Sequence, residues 1–499
     1  MSTPKSRMQW QALADSMSIN GSAFIAGEYL DAQSKLTFDC ISPIDGRVLA
    51  KVASCDEADA NIAVQNARET FKSGVWANLA PVKRKQIMLR FAELLEQHAD
   101  ELALLETLDM GKPIQYSKAV DVAGAARAIR WSGEAIDKIY DEIAPTAHNE
   151  IGMITREAVG VVAAIVPWNF PMLMACWKLG PALATGNSVV LKPSEKSPLT
   201  AIRMAQIAIE AGLPKGVLNV LPGFGHTVGK ALALHMDVDT LVFTGSTKIA
   251  KQLMIYAGES NMKRVWLEAG GKSPNIIFND APDLKKAAQA AASAIAFNQG
   301  EVCTAGSRLL VESGVKDELI ALIAEELKSW TPGHPLDPST TSGAVVDKQQ
   351  LDNVLGYIQS GVDEGATLNH GGSQVMQDTG GVYIEPTIFS NVENKMTIAK
   401  EEIFGPVLSV ITFDGMEQAI EIANDTIYGL AAGVWTSDIN KAHKTAKAIR
   451  SGMVWINHYD GGDMTAPFGG YKQSGNGRDK SLHAFDKYTE IKATWLVLE

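Results

Sequence analysis

Apolar residues recur three and four apart, with charges between them, through "EADANIAVQNARETF", "PVKRKQIMLRFAELLEQHADELALLETLDM" and "DVAGAARAIRWSGEAIDKIYDEI". That is the period of a helix burying one face, so residues 57–142 are expected to be predominantly helical. Residues 143–158, "APTAHNEIGMITREAV", instead alternate polar with apolar residues and predict a projecting hairpin or arm. From 159 onward the texture changes again. Short β-branched runs, "VGVVAAIV", "NSVVLK", "GVLNVL", "TLVF" and "RVWLE", alternate with helical stretches such as "LTAIRMAQIAIEA" and "KIAKQLMIYAGE". Strands apolar on both faces and separated by helices predict βαβ units around a parallel sheet. A second α/β section starts near "SPNIIFND", passes through a helix over 283–297 and the strand "SRLLVES", and continues to "VLSVITF" and "GMVWIN". The chain closes with "KYTEIKATWLVLE", a terminal strand. No repeat of solenoid period is visible.

The strands of the first α/β section run into unusual residues. They are followed by Pro167-Trp168-Asn169-Phe170-Pro171, by Lys192-Pro193-Ser194-Glu195, by Gly223 and Gly225 in "PGFG", by Thr244-Gly245-Ser246-Thr247, and by Glu268-Ala269-Gly270-Gly271. Open parallel sheets bind ligands beyond the carboxyl ends of their strands, so a ligand is expected to lie across this edge. "GFGHTVG" misses the usual dinucleotide glycine spacing by one residue and is a weak fingerprint. "FTGSTKIA" is stronger, because a strand passes through Gly245-Ser246 into a helix whose first amides can accept a pyrophosphate. Lys192 and Glu195 set a cation and an anion three residues apart, a pair suited to ribose hydroxyls.

Composition narrows the class. The 499 residues suggest roughly two to four domains. A net charge of −12 without any basic block argues against nucleic acid. No apolar run approaches the roughly 18–20 residues of a membrane span, and the first residues lack a signal-like apolar core; no membrane partner is expected, and the protein reads as cytoplasmic. The four cysteines, Cys40, Cys55, Cys176 and Cys303, form no C-x-x-C pair, and the nine histidines show no metal-ligand spacing, so no metal is expected. Cys303 stands apart, in the small and polar "NQGEVCTAGSR" between two apolar runs.

"PWNFPMLMACWKLGPALATGN", "LKPSEKSPLTA", "FTGST", "LEAGGKSPNII", "FNQGEVCTAGSR", "EEIFGPVLSV" and "PFGGYKQSGNGRDKS" resemble, in order and over nearly the whole chain, the aldehyde dehydrogenase superfamily. "NHYDGGDMTAPFGG" and "GNGRDKSLHAFDKYTE" are similar to its bacterial branch acting on γ-glutamyl-γ-aminobutyraldehyde and on amino- or guanidinobutyraldehydes, from polyamine and arginine breakdown. The resemblance implies an α/β fold with a Rossmann-like NAD-binding domain (1–142 and 159–271) and an α/β catalytic domain (272–484). A small β oligomerisation or bridging arm would combine 143–158 with 485–499, and the assembly would be a homodimer or homotetramer. It also implies oxidation of a small aldehyde to its acid through a cysteine thiohemiacetal and thioester, with NAD preferred over NADP.

By the same resemblance Cys303 is the nucleophile. Asn169, with the Cys303 backbone N–H, is the oxyanion donor, Glu268 the base for water, and Lys178 a proton relay. Lys192, Ser194 and Glu195 would meet a ribose, Trp168 and Ser246 the pyrophosphate and adenine side, and Glu402 and Phe404 the nicotinamide ribose and ring. Gly225, Gly245 and Gly270 complete the cofactor set. Asp460 and Asp463 are substrate candidates, Asp463 the favoured one, for the cationic end of an ω-aminoaldehyde. Two positions depart from the family pattern: Ala250 where glycine is common, expected to loosen helix packing near the pyrophosphate, and Asp479 where glutamate is common. The alternatives are a broad-specificity aliphatic aldehyde dehydrogenase, a coenzyme A-acylating relative, a cysteine-dependent thiol hydrolase or acyltransferase, and a non-enzymatic dinucleotide-binding module.

Overall fold

The structure, a computed structural model, describes residues 5–499. The helical expectation for the N-terminal third is met by Glu57–Ser73, Pro81–Gln97, Ala99–Met110 and Ala123–Ala135. The first begins in a capping box, Asp56 with Asp59, and ends at Gly74 in the left-handed conformation that glycine adopts without strain. Helix stops at Ala135, short of 142, and the strand Glu142–Ala144 follows.

Two seven-stranded sheets carry the molecule. In the first, Arg264–Glu268, Thr240–Thr244, Val161–Ile165, Ser188–Lys192 and Leu218–Val220 lie side by side and parallel, as their β-branched runs predict. Two short antiparallel strands, Ala23–Ile25 and Glu28–Leu30, extend its far edge. The second sheet orders Thr367–His370, Thr387–Ser390, Val407–Phe413, Arg308–Glu312, Pro274–Ile277, Ala431–Trp435 and Met453–Ile456, antiparallel only at its first pair. The central strands of both sheets are apolar on both faces and buried by helices.

The chain crosses from the first sheet to the second between Glu268 and Pro274. It later returns, because Gly475 bridges to Glu268 and the Ala269 N–H donates to the Ser474 carbonyl at 2.8 Å. The expected hairpin over 143–158 is present, and its long strand Glu150–Ala158 pairs antiparallel with Thr489–Val497 in a third, three-stranded sheet. Among the described residues no helix is long and apolar enough to cross a membrane.

Arg308 fastens the second sheet from within. It is fully buried, and its guanidinium donates to the carbonyls of Lys272, Ile422 and Ala423 and to Asn394 Oδ1, at 2.9–3.0 Å. Two of those carbonyls belong to the last turn of the helix Met416–Asn424, where intrahelical partners run out. Arg308→Met strands these acceptors away from water. It should lower stability by about 3 kcal/mol, read as a drop in the denaturation midpoint of the purified protein.

Candidate active site

The strand Val161–Ile165 ends in the turn Pro167–Phe170, and Pro171 then opens the helix Pro171–Ala184 as its first residue, where a missing N–H costs nothing. The turn fixes Asn169, which is 4% exposed. Its side-chain amide donates to the Glu301 carbonyl at 2.8 Å. Its own carbonyl accepts Lys112 Nζ and Asn298 Nδ2, both at 3.1 Å. The chain leading to Cys303 is strained: Asn298, Gln299 and Gly300 take φ of 49°, 55° and 71° in succession. A Cβ on Gly300 would sit 2.3 Å from the Gly405 carbonyl carbon, so only glycine fits. This tight turn leaves Cys303 half-buried, facing a cavity of about 850 Å³.

Burial pushes the Cys303 thiol up, and the carboxylates of Glu402, Asp460 and Glu268 push it further. The resting thiol is therefore neutral, and its ionisation needs a base. Glu268, the last residue of its strand, lines the same cavity at 3% exposure, and neither carboxylate oxygen has a hydrogen-bond partner. Desolvation, reinforced by Asp479, holds its carboxyl well above the usual range; Lys178, Lys487 and Arg478 oppose this. Lys178, on the helix Pro171–Ala184, does not stand free: it pairs with Asp479, whose second oxygen pairs with Lys487.

Aromatic contacts divide the cavity lining into two groups. On one side Trp168 meets Phe404 edge-on at 5.1 Å, near Gly245, Ser246, Gly270 and Glu402. On the other, Trp177 packs on Phe468 at 5.0 Å and Phe170 on Phe297 at 6.2 Å. Ser246 caps the helix Thr247–Glu259 by accepting from the Ile249 N–H at 3.4 Å, so a helix N-terminus begins at the cavity wall. The Thr244 hydroxyl there is buried without a partner. Glu402 Oε1 accepts the Gly271 N–H at 3.0 Å, while its other oxygen would be 1.8 Å from a Cβ on Gly270. Burial raises the Glu402 carboxyl to about 7. An orphaned hydroxyl, a helix N-terminus and a glycine-tight carboxylate on one wall fit a dinucleotide.

The other cofactor candidates lie off this wall. Lys192 and Glu195 pair with each other at 3.0 Å, and Ser194 accepts the Lys196 N–H at 3.3 Å; none of the three lines the cavity. Gly225 is not brought to it either. It opens a helical turn, 225–229, and a methyl group on its Cα would meet nothing within 4 Å, while Gly223 takes the unusual φ of 146°. Ala250 is buried within an unbroken helix, so its methyl group is accommodated without disrupting that element.

The substrate candidates exchange rank. Asp463, favoured from sequence, is exposed and turned into its own loop, where its carboxylate accepts the Thr465 N–H and hydroxyl at 3.0 and 2.9 Å; it does not line the cavity. Those local bonds hold its carboxyl below the usual range. Asp460 does line the cavity. The residue is itself solvent-exposed, with φ 56°; its carboxylate accepts Thr304 Oγ1 at 3.3 Å, and desolvation by the atoms around it raises its carboxyl.

Four further residues act around the site without having been singled out by sequence: Lys112, Asn298, Gln350 and Lys487. Gln350 holds the Phe404 segment by donating to the carbonyls of Phe404 and Ile403 at 2.7 and 3.2 Å. Only Asn298 carries a nearby sequence signal, since it opens the polar stretch around the singular cysteine.

A model of the aldehyde dehydrogenase family matches residues 29–494. The chain belongs to that family. Among curated relatives, the NADP/NAD-dependent aldehyde dehydrogenase PuuC of Escherichia coli is 54% identical over 490 residues, covering 98% of each chain. Among solved structures, an indole-3-acetaldehyde dehydrogenase complexed with NAD+ superposes with a TM-score of 0.99 at 72% identity, over 99% of this chain and 100% of that one. The aldehyde dehydrogenase KauB from Pseudomonas aeruginosa matches equally, at TM-score 0.99, 72% identity and the same coverage. A γ-glutamyl-γ-aminobutyraldehyde dehydrogenase from Burkholderia cenocepacia is 60% identical with TM-score 0.98, again over 99% and 100%. The aldehyde dehydrogenase fold, with its mixed α/β sheets, is that of this chain.

Glu402 yields a pH test. Its folded value near 7 lies above the ordinary carboxylate value, so the native state holds an extra proton between the two. The associated stability is complete at low pH and is lost as pH rises through about 7. Glu402→Gln cannot ionise. Its melting temperature relative to the native protein should therefore rise between about pH 5 and about pH 8, as read by thermal scans in both buffers.

Proposed function

We propose that this dehydrogenase converts aldehydes carrying an amino, γ-glutamylamino or guanidino group at the far end of a butyl chain into their acids, with NAD preferred over NADP. The observation that carries the chemistry is the meeting of Cys303, Asn169 and a partnerless Glu268 around one cavity. Glu268 takes the thiol proton as Cys303 Sγ adds to the carbonyl carbon, forming the C–S bond and an oxyanion. One hydrogen of the Asn169 amide is bound to Glu301, and the second, with the Cys303 N–H, holds that oxyanion. NAD, when bound, supplies the acceptor for the hydride that leaves this carbon. Loss of hydride leaves an acyl group on Cys303. Glu268, its proton returned to solvent, then deprotonates a water that attacks the thioester, releasing the carboxylic acid and restoring the thiol.

Trp168, Ser246, Glu402, Phe404, Gly245 and Gly270 would hold the nicotinamide half and pyrophosphate. Lys192, Ser194 and Glu195 would face the adenosine ribose, where the Glu195 carboxylate accepts a 2′-hydroxyl and repels a 2′-phosphate. Gly225, away from this wall, has no contact role in this reading. The cofactor domain would comprise 1–142 and 159–271 and the catalytic domain 272–484, bridged by 143–158 and 485–499. The strand Thr489–Val497 exposes Ile491, Trp495 and Val497 along an unpaired edge, which supports a homodimer or homotetramer. Without a membrane-crossing helix among the described residues and with four free cysteines, the protein reads as cytoplasmic.

Asp460 supports the cationic substrate end, as does the name of the γ-glutamyl-γ-aminobutyraldehyde relative. A second reading, an arylacetaldehyde, draws on the aromatic wall of Phe170, Trp177, Phe297 and Phe468 and on the indole-3-acetaldehyde relative. The two separate on one comparison. In Asp460→Asn, kcat/KM for 4-aminobutyraldehyde should fall about tenfold while that for indole-3-acetaldehyde stays within about twofold. Equal changes on both substrates would remove the charge-recognition reading and favour the aryl one. Independently, Asn169→Ala should lower kcat by about 100- to 1000-fold with either aldehyde, measured by formation of reduced cofactor.

A further inference from the structure

Beside the cavity lies a buried ionic cluster whose third member no part of the reaction so far employs. Lys487 is 3% exposed, yet its ammonium lies inside the protein against Asp479 Oδ1, opposite Lys178 on Oδ2. The backbone carrying it is fixed: it ends a short helical stretch, Leu482–Lys487, and precedes Tyr488, whose carbonyl accepts the Val159 N–H and Asn187 Nδ2 at 3.2 and 3.0 Å. Thr489 then begins the strand that pairs with Glu150–Ala158. Asp479 is equally held, exchanging both backbone hydrogen bonds with Phe468 of the cavity wall at 2.7 Å. Glu268 is pressed against this same segment: methyl groups on Gly469 and Gly477 would lie 2.8 and 3.1 Å from its Oε1.

We propose that Lys487 is a positioning residue for the general base: by occupying one oxygen of Asp479 while Lys178 occupies the other, it fixes the charge that Glu268 faces and keeps Asp479 from sharing the proton that Glu268 must carry. The inference rests on the reading of Glu268 as the base. Two carboxylates in one water-poor chamber tend to share a proton, and one of them is then lost as a base near neutral pH. With both Asp479 oxygens engaged by ammonium groups, that alternative is closed. Glu268 retains two free oxygens for the thiol and for water. The groups facing it are Lys178 from the helix Pro171–Ala184, Arg478 and Asp479 from the returning segment, Lys487 from the terminal stretch, and Cys303 from the strained loop. Removal of Lys487 subtracts a positive charge and frees an Asp479 oxygen, and both effects favour protonated Glu268. Removal of the Asp479 carboxylate acts oppositely.

An activated aryl ester, p-nitrophenyl acetate, tests this without cofactor, because it acylates a thiol directly and needs no hydride acceptor. The burst reports acylation of Cys303, and the steady state reports hydrolysis of the acyl-enzyme. Lys487→Met should move the acid limb of the steady-state pH profile upward by about one pH unit, and Asp479→Asn should move it downward. The double variant, lacking both charges of the pair, should return to within about half a unit of the native limb. Lys487→Arg should keep the native limb. An unmoved limb in Lys487→Met, or a shift of the same sign in both single variants, overturns the proposal. Should Lys487→Met fail to fold, Asp479→Asn and the double variant decide the matter by the same opposite-sign criterion. Glu268→Gln separates the underlying reading: a slowed or absent burst together with loss of turnover upholds Glu268 as base for thiol and water whatever Lys487 does, and native burst and turnover remove the base assignment and the proposal with it.

Discussion

Asn169 donates its side-chain amide to the Glu301 carbonyl, and its own carbonyl receives Lys112 and Asn298. These bonds join the turn at the end of a first-sheet strand to the loop that carries the thiol and leads into the second-sheet strand Arg308–Glu312. Everything at the site is referred to them. The loop reaches Cys303 through three consecutive left-handed residues, a conformation that persists only where its surroundings hold it. The clasp is itself anchored in depth: Lys112 is fully buried, pairs with Asp121 at 2.6 Å, and lies 3.9 Å from the centroid of the Phe170 ring. Burying that ammonium is costly unless it is paired and hydrogen-bonded, and here it is both.

The second organising feature is a lack of partners where chemistry needs them free. Glu268 ends a buried strand with two unpaired oxygens, and Glu402 holds a single backbone N–H. Each such carboxylate lowers stability, and each is held where reacting or bound groups would complete it. The first-sheet core and the Arg308 network supply the rigidity that lets these positions persist. The two ammonium groups nearest Glu268 share a single counter-ion, Asp479, so the cluster beside the base carries one positive charge in excess.

Much of the fold was legible because its strands are long enough and apolar enough to declare themselves: Val161–Ile165 and Val407–Phe413 are nearly continuous runs of strand formers. Ala23–Ile25 and Glu28–Leu30 were not, since three residues carry too few positions for an alternation to register. Ala431–Trp435 escaped for another reason. Two alanines and a glycine have little strand preference of their own, and the segment is a strand because parallel neighbours flank it on both sides. At the site, the loops after the strands were visible as interruptions of apolar runs, and the family resemblance identified their side chains. Spacing could not say which way a glycine-rich loop turns its acids. The local bonds to Thr465 turn Asp463 outward, and the left-handed backbone at Asp460 turns that one in. Lys487 was illegible for a related reason: a lysine in a charged terminal stretch reads as surface, and only the packing of Tyr488 and the pairing with Asp479 reveal it inside.

The chemistry turns on an acyl group carried for a moment by one sulfur. Rapid quenching of the native enzyme with aldehyde and NAD, followed by intact-mass and peptide mapping, observes it directly. The expected result is an added mass equal to the substrate's acyl group on the peptide containing Cys303, appearing and decaying in step with acid formation. Acid accumulating with no covalent adduct, or with the adduct on Cys40, Cys55 or Cys176 instead, would contradict it.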